Sequence, residues 1–547
     1  MISRLSPRAT AAPLLVALAV AALVPLQAAA QTQFGAPLAA QGQMSGFRQA
    51  LAEAAAADPE LAAFYGARNY HPIWTTGADA ERREALFAAL ARAADQGLAP
   101  SRYGEAELRA LFATVASERR RGALEAAVSA AFLRYAHDLT SGILDPKSVD
   151  AGLVREVRRR DGAAMLAALA DTPEPGAFLR SLAPRAPQYA QLARARLDLI
   201  AAIDAGGWGP QIPADSLRPG DSGPAVVALR DRLVAEGYLR PTGSAEYDGA
   251  LQKAVQLFQS GNAIDPDGIA GEATVAALNV SPEARLQSVL VAMERLRWMN
   301  GLELGRRHIW VNLPDFTAKI VDDGKVTFET VTVVGMNQAD RRSPEFSDQM
   351  EFMVINPTWN VPRSITVKEY LPMLQRNPNA AGHLKIVDRR GRVVPRDAVD
   401  FTQFTERNFP FSMSQPPSDG NALGLVKFMF PNQWNIYLHD TPSKSLFKKD
   451  VRAFSHGCIR LGRPFDFAYA LLAPQVDDPR AEFQHHLDSG RESTLMLKQP
   501  VPVHLVYFTA WPDAKGRIGY RNDVYGRDAR IFESLREAGV EMPAQQG

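Results

Sequence analysis

The stretch Ser455-His456-Gly457-Cys458-Ile459-Arg460 contains the single cysteine of a chain of 547 residues. A second histidine, His439, lies upstream of it. A thiol near two histidines is the combination that a cysteine nucleophile and its base require, because an imidazole can take the thiol proton. The sequence therefore predicts cysteine chemistry here. Spacing alone leaves both His456 and His439 open as the base.

The composition is that of a soluble globular protein, with 46% hydrophobic and 22% charged residues. The formal net charge is +1, so no global electrostatic field points to nucleic acid or to anionic lipid as a partner. At the usual domain size, the length predicts several domains.

The first thirty residues have the pattern of a signal peptide, with Arg4 and Arg8 before an apolar run that ends in small residues near Ala30. A transmembrane anchor is the alternative. Pro13 and Pro25 interrupt the run, which is also shorter than the ~20 residues that span a bilayer. We therefore expect export, cleavage near Ala30, and no stable membrane span afterwards. A lone cysteine cannot form an intrachain disulfide in an oxidising compartment, although a buried, inert thiol is the alternative interpretation.

Helical spacing and turn residues divide the rest of the chain. The sequence predicts a multidomain α+β protein with a helical scaffold, a small three-helix domain, a connecting helix that starts at Ser281-Pro282, and a mainly β catalytic domain of sandwich or barrel type. A long, partly helical insertion in the last of these is expected to act as a lid. The expected bounds are 1–30 for the signal peptide, 31–43 for a flexible leader, 44–205 for the scaffold, 206–216 for a linker, 217–280 for the three-helix domain, 281–300 for the connecting helix, 301–510 for the catalytic domain with the lid at about 363–418, and 511–547 for a C-terminal extension.

Three other kinds of site compete for these residues. A zinc site could use His439, His456 and Cys458, but no fourth ligand or CxxC motif accompanies them. Ser445-Leu446-Phe447-Lys448 matches the S-x-x-K of serine acyltransferases, yet no K-T-G follows. The local cysteine signature of papain-type peptidases is missing. A cysteine acyltransferase is favoured.

Several motifs together resemble the L,D-transpeptidases with a YkuD-type catalytic domain, and in particular their large YcbB-like subgroup. The segments that carry the resemblance are Ser455–Arg460, Tyr437-Leu438-His439-Asp440-Thr441-Pro442, Asn356-Pro357-Thr358-Trp359-Asn360-Val361-Pro362 and Asn421-Ala422-Leu423-Gly424 with Lys427. Residues 217–280 resemble the peptidoglycan-binding domain of cell-wall enzymes.

The resemblance implies a role for each site residue. Cys458 is the expected nucleophile, and His439 is the expected proton donor and acceptor, oriented by the backbone carbonyl of Asp440. His456 and Gly457 are expected to shape the oxyanion hole and the cleft. The expected substrate-binding residues are Arg460, Ser455, Asn421 and Lys427. For Arg460, a structural salt bridge is the alternative.

The implied reaction is the formation of 3-3 crosslinks in peptidoglycan, in the periplasm of a Gram-negative bacterium. Cys458 attacks a diaminopimelate-type tetrapeptide stem, D-Ala leaves, and an amine of a second stem resolves the thioester. No metal or nucleotide cofactor is expected, other cell-wall enzymes are possible partners, and carbapenems are expected to acylate Cys458. The alternatives are an L,D-carboxypeptidase or endopeptidase, an enzyme that attaches protein to peptidoglycan, and a non-enzymatic wall-binding protein.

Overall fold

The computed structural model describes residues 44–542. The predicted signal peptide, the predicted leader at 31–43 and the last five residues lie outside them. The chain divides into two compact units, 1–45 and 46–547, and every element described below belongs to the second. Within the described residues, no helix combines the length and the apolar character that crossing a membrane requires.

The first part of the chain is entirely helical. Side-chain caps start several of the helices, such as Asp58 before α2 and Ser117 before the long α5. The buried carboxylate of Glu125 accepts hydrogen bonds from the backbone amides of Ile73, Trp74 and Thr75, and so joins the loop after α2 to α5. The helices are α1 (Gly46–Ala55), α2 (Pro59–Ala67), α3 (Ala80–Ala91), α4 (Glu105–Thr114), α5 (Glu118–Ser141), α6 (Pro146–Val149), α7 (Gly162–Asp171), α8 (Pro175–Ser181) and α9 (Pro187–Asp204).

A small helical unit follows, with a core of its own around Leu229, Val255 and Phe258. Its helices are α10 (Pro224–Ala235), α11 (Gly249–Gly261) and α12 (Glu272–Leu278). Helix α13 (Pro282–Trp298) then begins at Ser281, whose hydroxyl accepts the amide of Ala284. Helix α13 is buried along most of its length, because it packs against α9 and against the C-terminal helix α18 (Arg527–Glu537).

The β-rich C-terminal part is built on a barrel. Strand β2 pairs with both β1 and β3, which closes the sheet into the ring β3-β11-β9-β8-β4-β12-β1-β2, and β10 adds to β3. Helices α16 (Pro464–Leu472) and α17 (Pro479–Asp488) pack on the ring. The strands are β1 (Arg307–Asn312), β2 (Thr317–Asp322), β3 (Lys325–Gly335), β4 (Phe346–Ile355), β5 (Trp359–Asn360), β6 (Lys385–Val387), β7 (Ser412–Gln415), β8 (Val426–Met429), β9 (Leu438–His439), β10 (Ala453–Ser455), β11 (Ile459–Leu461), β12 (Ser493–Val506), β13 (Ala510–Pro512) and β14 (Ile518–Tyr520).

The insertion between β5 and β8 folds around its own small core, which includes Leu371, Leu374 and Phe401. It includes the three-stranded sheet β5-β7-β6, two short 3-10 turns (Arg396–Ala398 and Phe401–Gln403) and a longer helical segment. That segment consists of α14 (Arg363–Ile365), a π-helical turn (Thr366–Tyr370) and α15 (Leu371–Arg376). We call residues 363–376 the lid segment.

The predicted fold class is confirmed: a helical N-terminal part, a small helical domain and a β-rich catalytic part follow one another along the chain. The C-terminal residues add a feature that the sequence did not indicate. Strand β13 and helix α18 share a core with α9 and α13 instead of forming an appendage.

Candidate active site

One face of the barrel sheet carries three of the predicted site residues, namely His439, Lys427 and Arg460. The register pairs His439 with Lys427 on β8 and with Arg460 on β11. Tyr437 and Cys458 come directly before strands β9 and β11. The ring of Tyr437 lies 5.6 Å from that of His439, and the charges of Arg460 and Lys427 act on the Cys458 thiol, so both residues are close to this face. The residues that follow them, Leu438 and Ile459, are fully buried in the barrel core. The period-two pattern therefore separates the candidate site from the core.

His439 is buried and held by its own strand end. Its Nδ1 atom lies 2.5 Å from the backbone carbonyl of Asp440, and a carbonyl can only accept, so Nδ1 carries the proton. Burial, and then the charge of Arg460, lower the pKa of His439 to about 3, although the carbonyls of Asp440 and Leu423 act in the opposite direction. At neutral pH the imidazole is therefore uncharged and can accept a proton at Nε2.

The thiol of Cys458 is also uncharged in this structure. Burial raises the pKa of Cys458 to about 11, against the opposing effects of Tyr437, Arg460 and Lys427. The Sγ atom lies 3.4 Å from the backbone carbonyl of Asn435, to which the thiol donates. A thiolate would be repelled by that carbonyl oxygen. The resting pair is thus a neutral thiol and a neutral imidazole.

The turn before Cys458 depends on glycine. Gly457 has φ +114°, a conformation that side chains rarely adopt, and a Cβ there would meet Ile436 at 3.1 Å. The amide of Gly457 donates to Ser455 Oγ at 3.1 Å, and its carbonyl accepts from Ser343 Oγ at 2.7 Å. This differs from the sequence expectation, because the amide expected to contribute to an oxyanion hole is already used. The amide of Cys458 has no hydrogen-bond partner within residues 44–542.

Two cations act on the thiol, and neither forms an ion pair within residues 44–542. The charge of Glu492 acts on Lys427 without a direct ion pair, and Arg460 Nε is buried without a hydrogen-bond partner. Burial lowers the pKa of Lys427, and burial likewise lowers the pKa of Arg460. The salt bridge considered for Arg460 is absent from this part of the molecule. Both side chains can take an anionic group of a ligand.

The side chain of Asp440 supports the neighbouring loop. Its Oδ2 accepts the amide of Leu425 at 3.0 Å, and its Oδ1 accepts the amide of Thr441 at 2.7 Å and pairs with Lys444. Gly424 (φ +61°) lies directly against it, since a Cβ there would be 2.3 Å from the carboxyl carbon. The carboxylate therefore fixes the loop, while the backbone carbonyl contacts His439.

Two residues expected to bind substrate lie inside the fold. Asn421 is fully buried and donates through Nδ2 to the carbonyls of Pro357 and Gln415, while its Oδ1 accepts the amide of Leu423. Ser455 is buried, and its hydroxyl donates to the carbonyl of Cys458 at 2.5 Å. The polar atoms of both side chains form hydrogen bonds with backbone groups of the loops, so neither side chain is available to a ligand in this conformation.

His456 points to a residue of the lid segment. Its Nε2 lies 2.6 Å from Oε1 of Glu369, and the same oxygen accepts a hydrogen bond from Arg341 Nη2 at 2.7 Å. Neither Glu369 nor Arg341 is among the expected site residues, and Tyr437 enters the sequence prediction only as part of a motif that carries the family resemblance. Strand alternation from His439 could have found Tyr437. Glu369 and Arg341 meet His456 only through the tertiary fold, so no local pattern marks them.

No group of three or more His, Cys, Asp or Glu side chains that could hold a metal ion occurs among residues 44–542.

Three family models match the chain, each over one stretch. Residues 59–195 match the Scaffold domain, residues 222–278 match the "Putative peptidoglycan binding domain", and residues 306–475 match the L,D-transpeptidase catalytic domain, called YkuD. The last stretch contains both Cys458 and His439. The chain therefore carries an L,D-transpeptidase catalytic domain. In this protein it is joined to a peptidoglycan-binding domain and a scaffold domain.

A curated relative from Haemophilus influenzae, named "Putative L,D-transpeptidase", is 31% identical over 247 residues. The match covers 45% of this chain and 49% of the relative, so the chain spans about half the length of the relative that it matches.

Two solved structures are similar to part of the chain. An L,D-transpeptidase fragment from Xylanimonas cellulosilytica is 16% identical, with 54% of this chain and 98% of that chain covered and a TM-score of 0.16. An L,D-transpeptidase (Yku) from Stackebrandtia nassauensis is 15% identical, with 54% and 96% covered and a TM-score of 0.21. At these TM-scores the assignment of the domains follows from the family models alone.

Proposed function

We propose that the protein is a periplasmic L,D-transpeptidase that forms 3-3 peptidoglycan crosslinks through a thioester on Cys458. The observation that carries the proposal is one sheet face, inside the stretch that matches the catalytic domain, on which Cys458, His439 and the unpaired cations Lys427 and Arg460 meet. Acyl transfer needs a nucleophile, a base and a counter-charge for anionic groups, and this face offers all three.

The first step is acylation. The thiol of Cys458 leaves the carbonyl of Asn435 and gives its proton to His439 Nε2, while the sulfur attacks the carbonyl carbon at the L-centre of diaminopimelate. The tetrahedral oxyanion faces the unpartnered amide of Cys458. The C–N bond to D-Ala then breaks, and the proton on His439 passes to the leaving amine. A thioester remains.

The second step returns the enzyme to its starting state. The side-chain amine of diaminopimelate on a neighbouring stem attacks the thioester carbonyl and loses a proton to His439. The C–S bond breaks, and His439 returns the proton to Cys458 Sγ. Throughout, the carbonyl of Asp440 holds the Nδ1 proton and stabilises the imidazolium when it forms.

The unpaired cations suit the substrate class. A stem peptide carries several carboxylates, and burying one of them beside a cation costs far less free energy than burying it alone. A peptidoglycan-binding domain on the same chain raises the local concentration of a polymeric substrate at the catalytic domain. Both features favour a cell-wall substrate in the envelope.

The first test uses purified mature protein with diaminopimelate-type tetrapeptide muropeptides, analysed by mass spectrometry with fragmentation. We expect 3-3 dimers and released D-Ala from the wild type, and no dimers from Cys458→Ala or His439→Ala. Ser445→Ala is the matched control, because that exposed serine belongs to the S-x-x-K match and is expected to be dispensable. Full activity of Cys458→Ala would overturn the proposal, and tripeptide monomers without dimers would indicate hydrolysis in its place.

A second test addresses the neutral resting pair. Because the pKa of Cys458 is raised to about 11 and that of His439 is lowered to about 3, the thiolate fraction grows as pH rises through the neutral range. The rate of alkylation of Cys458 by iodoacetamide is therefore expected to keep rising from pH 6 to pH 9. A rate that is already constant across this range would indicate a thiolate–imidazolium pair and contradict this part of the mechanism.

A further inference from the structure

A carboxylate of the lid segment contacts the motif that contains the proposed nucleophile. Oε1 of Glu369 accepts two hydrogen bonds, from Arg341 Nη2 at 2.7 Å and from His456 Nε2 at 2.6 Å. His456 is two residues from Cys458. All three side chains remain partly open to solvent, with 33% exposure for Glu369, 22% for Arg341 and 32% for His456. A dissolved ligand can therefore reach the two donors once Glu369 moves.

The two donors do not depend on the lid segment for their positions. The loop that carries Arg341 is tied to the motif by a hydrogen bond of 2.8 Å from the amide of Met336 to the carbonyl of Ser455. The carbonyl of Arg341 also packs so tightly on Gly335 that a Cβ there would be 2.0 Å away. The backbone segments that carry the two donors are therefore held together on the barrel, whereas Glu369 comes from the insertion.

Glu369 binds the two donors less strongly than a carboxylate can. An arginine binds a carboxylate most strongly through two parallel hydrogen bonds, but Glu369 uses a single oxygen for both donors. Glu369 also lies in the π-helical turn Thr366–Tyr370, a rare conformation that often accompanies functional sites. A ligand carboxylate that binds Arg341 through both of its oxygens could therefore displace Glu369.

We propose that Arg341 and His456 form a binding subsite for a carboxylate of the stem peptide, and that Glu369 fills this subsite until the substrate displaces it. The proposal rests on the proposed function, since it takes a peptide stem as the substrate. It assigns a binding role to Arg341 and makes Glu369 an internal competitor of the substrate carboxylate.

Binding to a non-turnover variant tests this directly. In the Cys458→Ala background, the tetrapeptide stem is titrated by calorimetry against protein with and without Glu369→Gln, which keeps the shape and removes the charge. We expect Glu369→Gln to lower Kd by about tenfold, the scale of one charge-assisted hydrogen bond. Adding Arg341→Gln is expected to abolish this gain. A misfolded variant cannot mimic tighter binding.

The ligand and a neighbouring residue supply the controls. Stems in which each carboxylate is amidated in turn identify the group that binds, because the gain should disappear for one of them. Lys368→Gln breaks the adjacent ion pair with Asp340 and leaves Arg341, His456 and Glu369 in place, so it should change Kd far less than Glu369→Gln does.

The outcomes separate the two proposals. An unchanged Kd in Glu369→Gln overturns the carboxylate subsite. The subsite is also overturned if the gain in affinity is the same with every amidated stem, or if Lys368→Gln gives the same gain in affinity. Either result would mean that the substitution had only loosened the lid segment. If the wild type binds stems but forms no thioester or crosslink, the proposed function fails while the binding comparison still decides the subsite.

Discussion

The Ser455–Arg460 motif is held from two sides by different interactions. Behind it, the fully buried hydroxyl of Ser343 donates to the carbonyl of Gly457 at 2.7 Å and accepts the amide of Gly335 at 3.0 Å. In front of it, Glu369 and Lys368 of the lid segment form ion pairs that solvent can reach. The rear contacts are buried hydrogen bonds, and the front contacts are exposed charges.

The rear contacts continue into a buried network of charges. Glu345 accepts from Arg295 at 2.5 Å and from Arg527 at 3.2 Å, while Arg527 also donates to the carbonyl of Ser343 at 3.0 Å. Arg295 lies on α13 and Arg527 on α18, and the backbone of Glu345 pairs with the chain at Gly152 and Val154. The catalytic turn is thereby connected to three other parts of the fold.

The difference shows which side can move. Removing one partner of a buried ion pair leaves an uncompensated charge and costs about 3–5 kcal/mol, whereas an exposed pair contributes about 0–1 kcal/mol. The rear of the motif is therefore fixed for as long as the protein is folded. The front can open at a small cost in free energy.

The largest expected effect is at the centre of the rear network. Glu345→Gln removes the carboxylate that Arg295 and Arg527 share. Arg295 keeps its pair with Asp528 at 3.0 Å, but Arg527 loses its nearest carboxylate, so we expect the free energy of unfolding to fall by about 3 kcal/mol. Calorimetric and urea-induced unfolding of the full chain measure this. The matched control is Glu329→Gln, because Glu329 pairs with Lys319 at the surface and its loss should cost less than about 1 kcal/mol. Equal losses in the two variants would remove the distinction between rear and front.

A smaller effect is expected at Ser343, which joins the buried charge network to the motif. Ser343→Ala leaves the buried Gly335 amide and Gly457 carbonyl without a partner, which should cost about 1–3 kcal/mol and lower kcat through the loosened turn. Thr332→Val is the control, because Thr332 is also fully buried but its hydroxyl has no hydrogen-bond partner within the described residues. Thr332→Val should be close to neutral. If it were as costly as Ser343→Ala, the loss would reflect packing, not the hydrogen bonds behind Gly457.

The sequence predicted the parts of this arrangement that follow from local pattern. Alternation and turn residues predicted strands for the catalytic part, Ser281-Pro282 predicted the start of α13, and the motif drew attention to Cys458 and His439. The rear network could not be predicted in this way. Arg527 lies 182 positions from Glu345 in the sequence, and nothing in the composition of the last residues indicates that they reach the catalytic turn.

Sequence pattern also does not show contacts that form only in the tertiary fold, which explains why some residues lie elsewhere than expected. Asn421 belongs to a segment that resembles the family, but the sequence does not show whether its amide faces the cleft or the interior. Only the fold reveals that three carbonyls surround it. Glu369 and His456 are 87 positions apart, so the contact that fills the proposed subsite depends on how the insertion docks.

The smallest expected effect is at the front. Lys368 and Asp340 form a pair at 2.9 Å with exposures of 48% and 56%, so Lys368→Gln should have only a very small effect on stability. Salt screens the pair, so the effect should be seen only at low salt. Hydrogen exchange of residues 363–376 is the measurement, and about a twofold faster exchange is expected in the variant at low salt. Arg306→Gln, which breaks the exposed pair with Asp323 outside the lid segment, should leave this exchange unchanged. Global destabilisation by Lys368→Gln, comparable with that of Glu345→Gln, would mean that the front is as fixed as the rear, and the lid segment could not open as proposed.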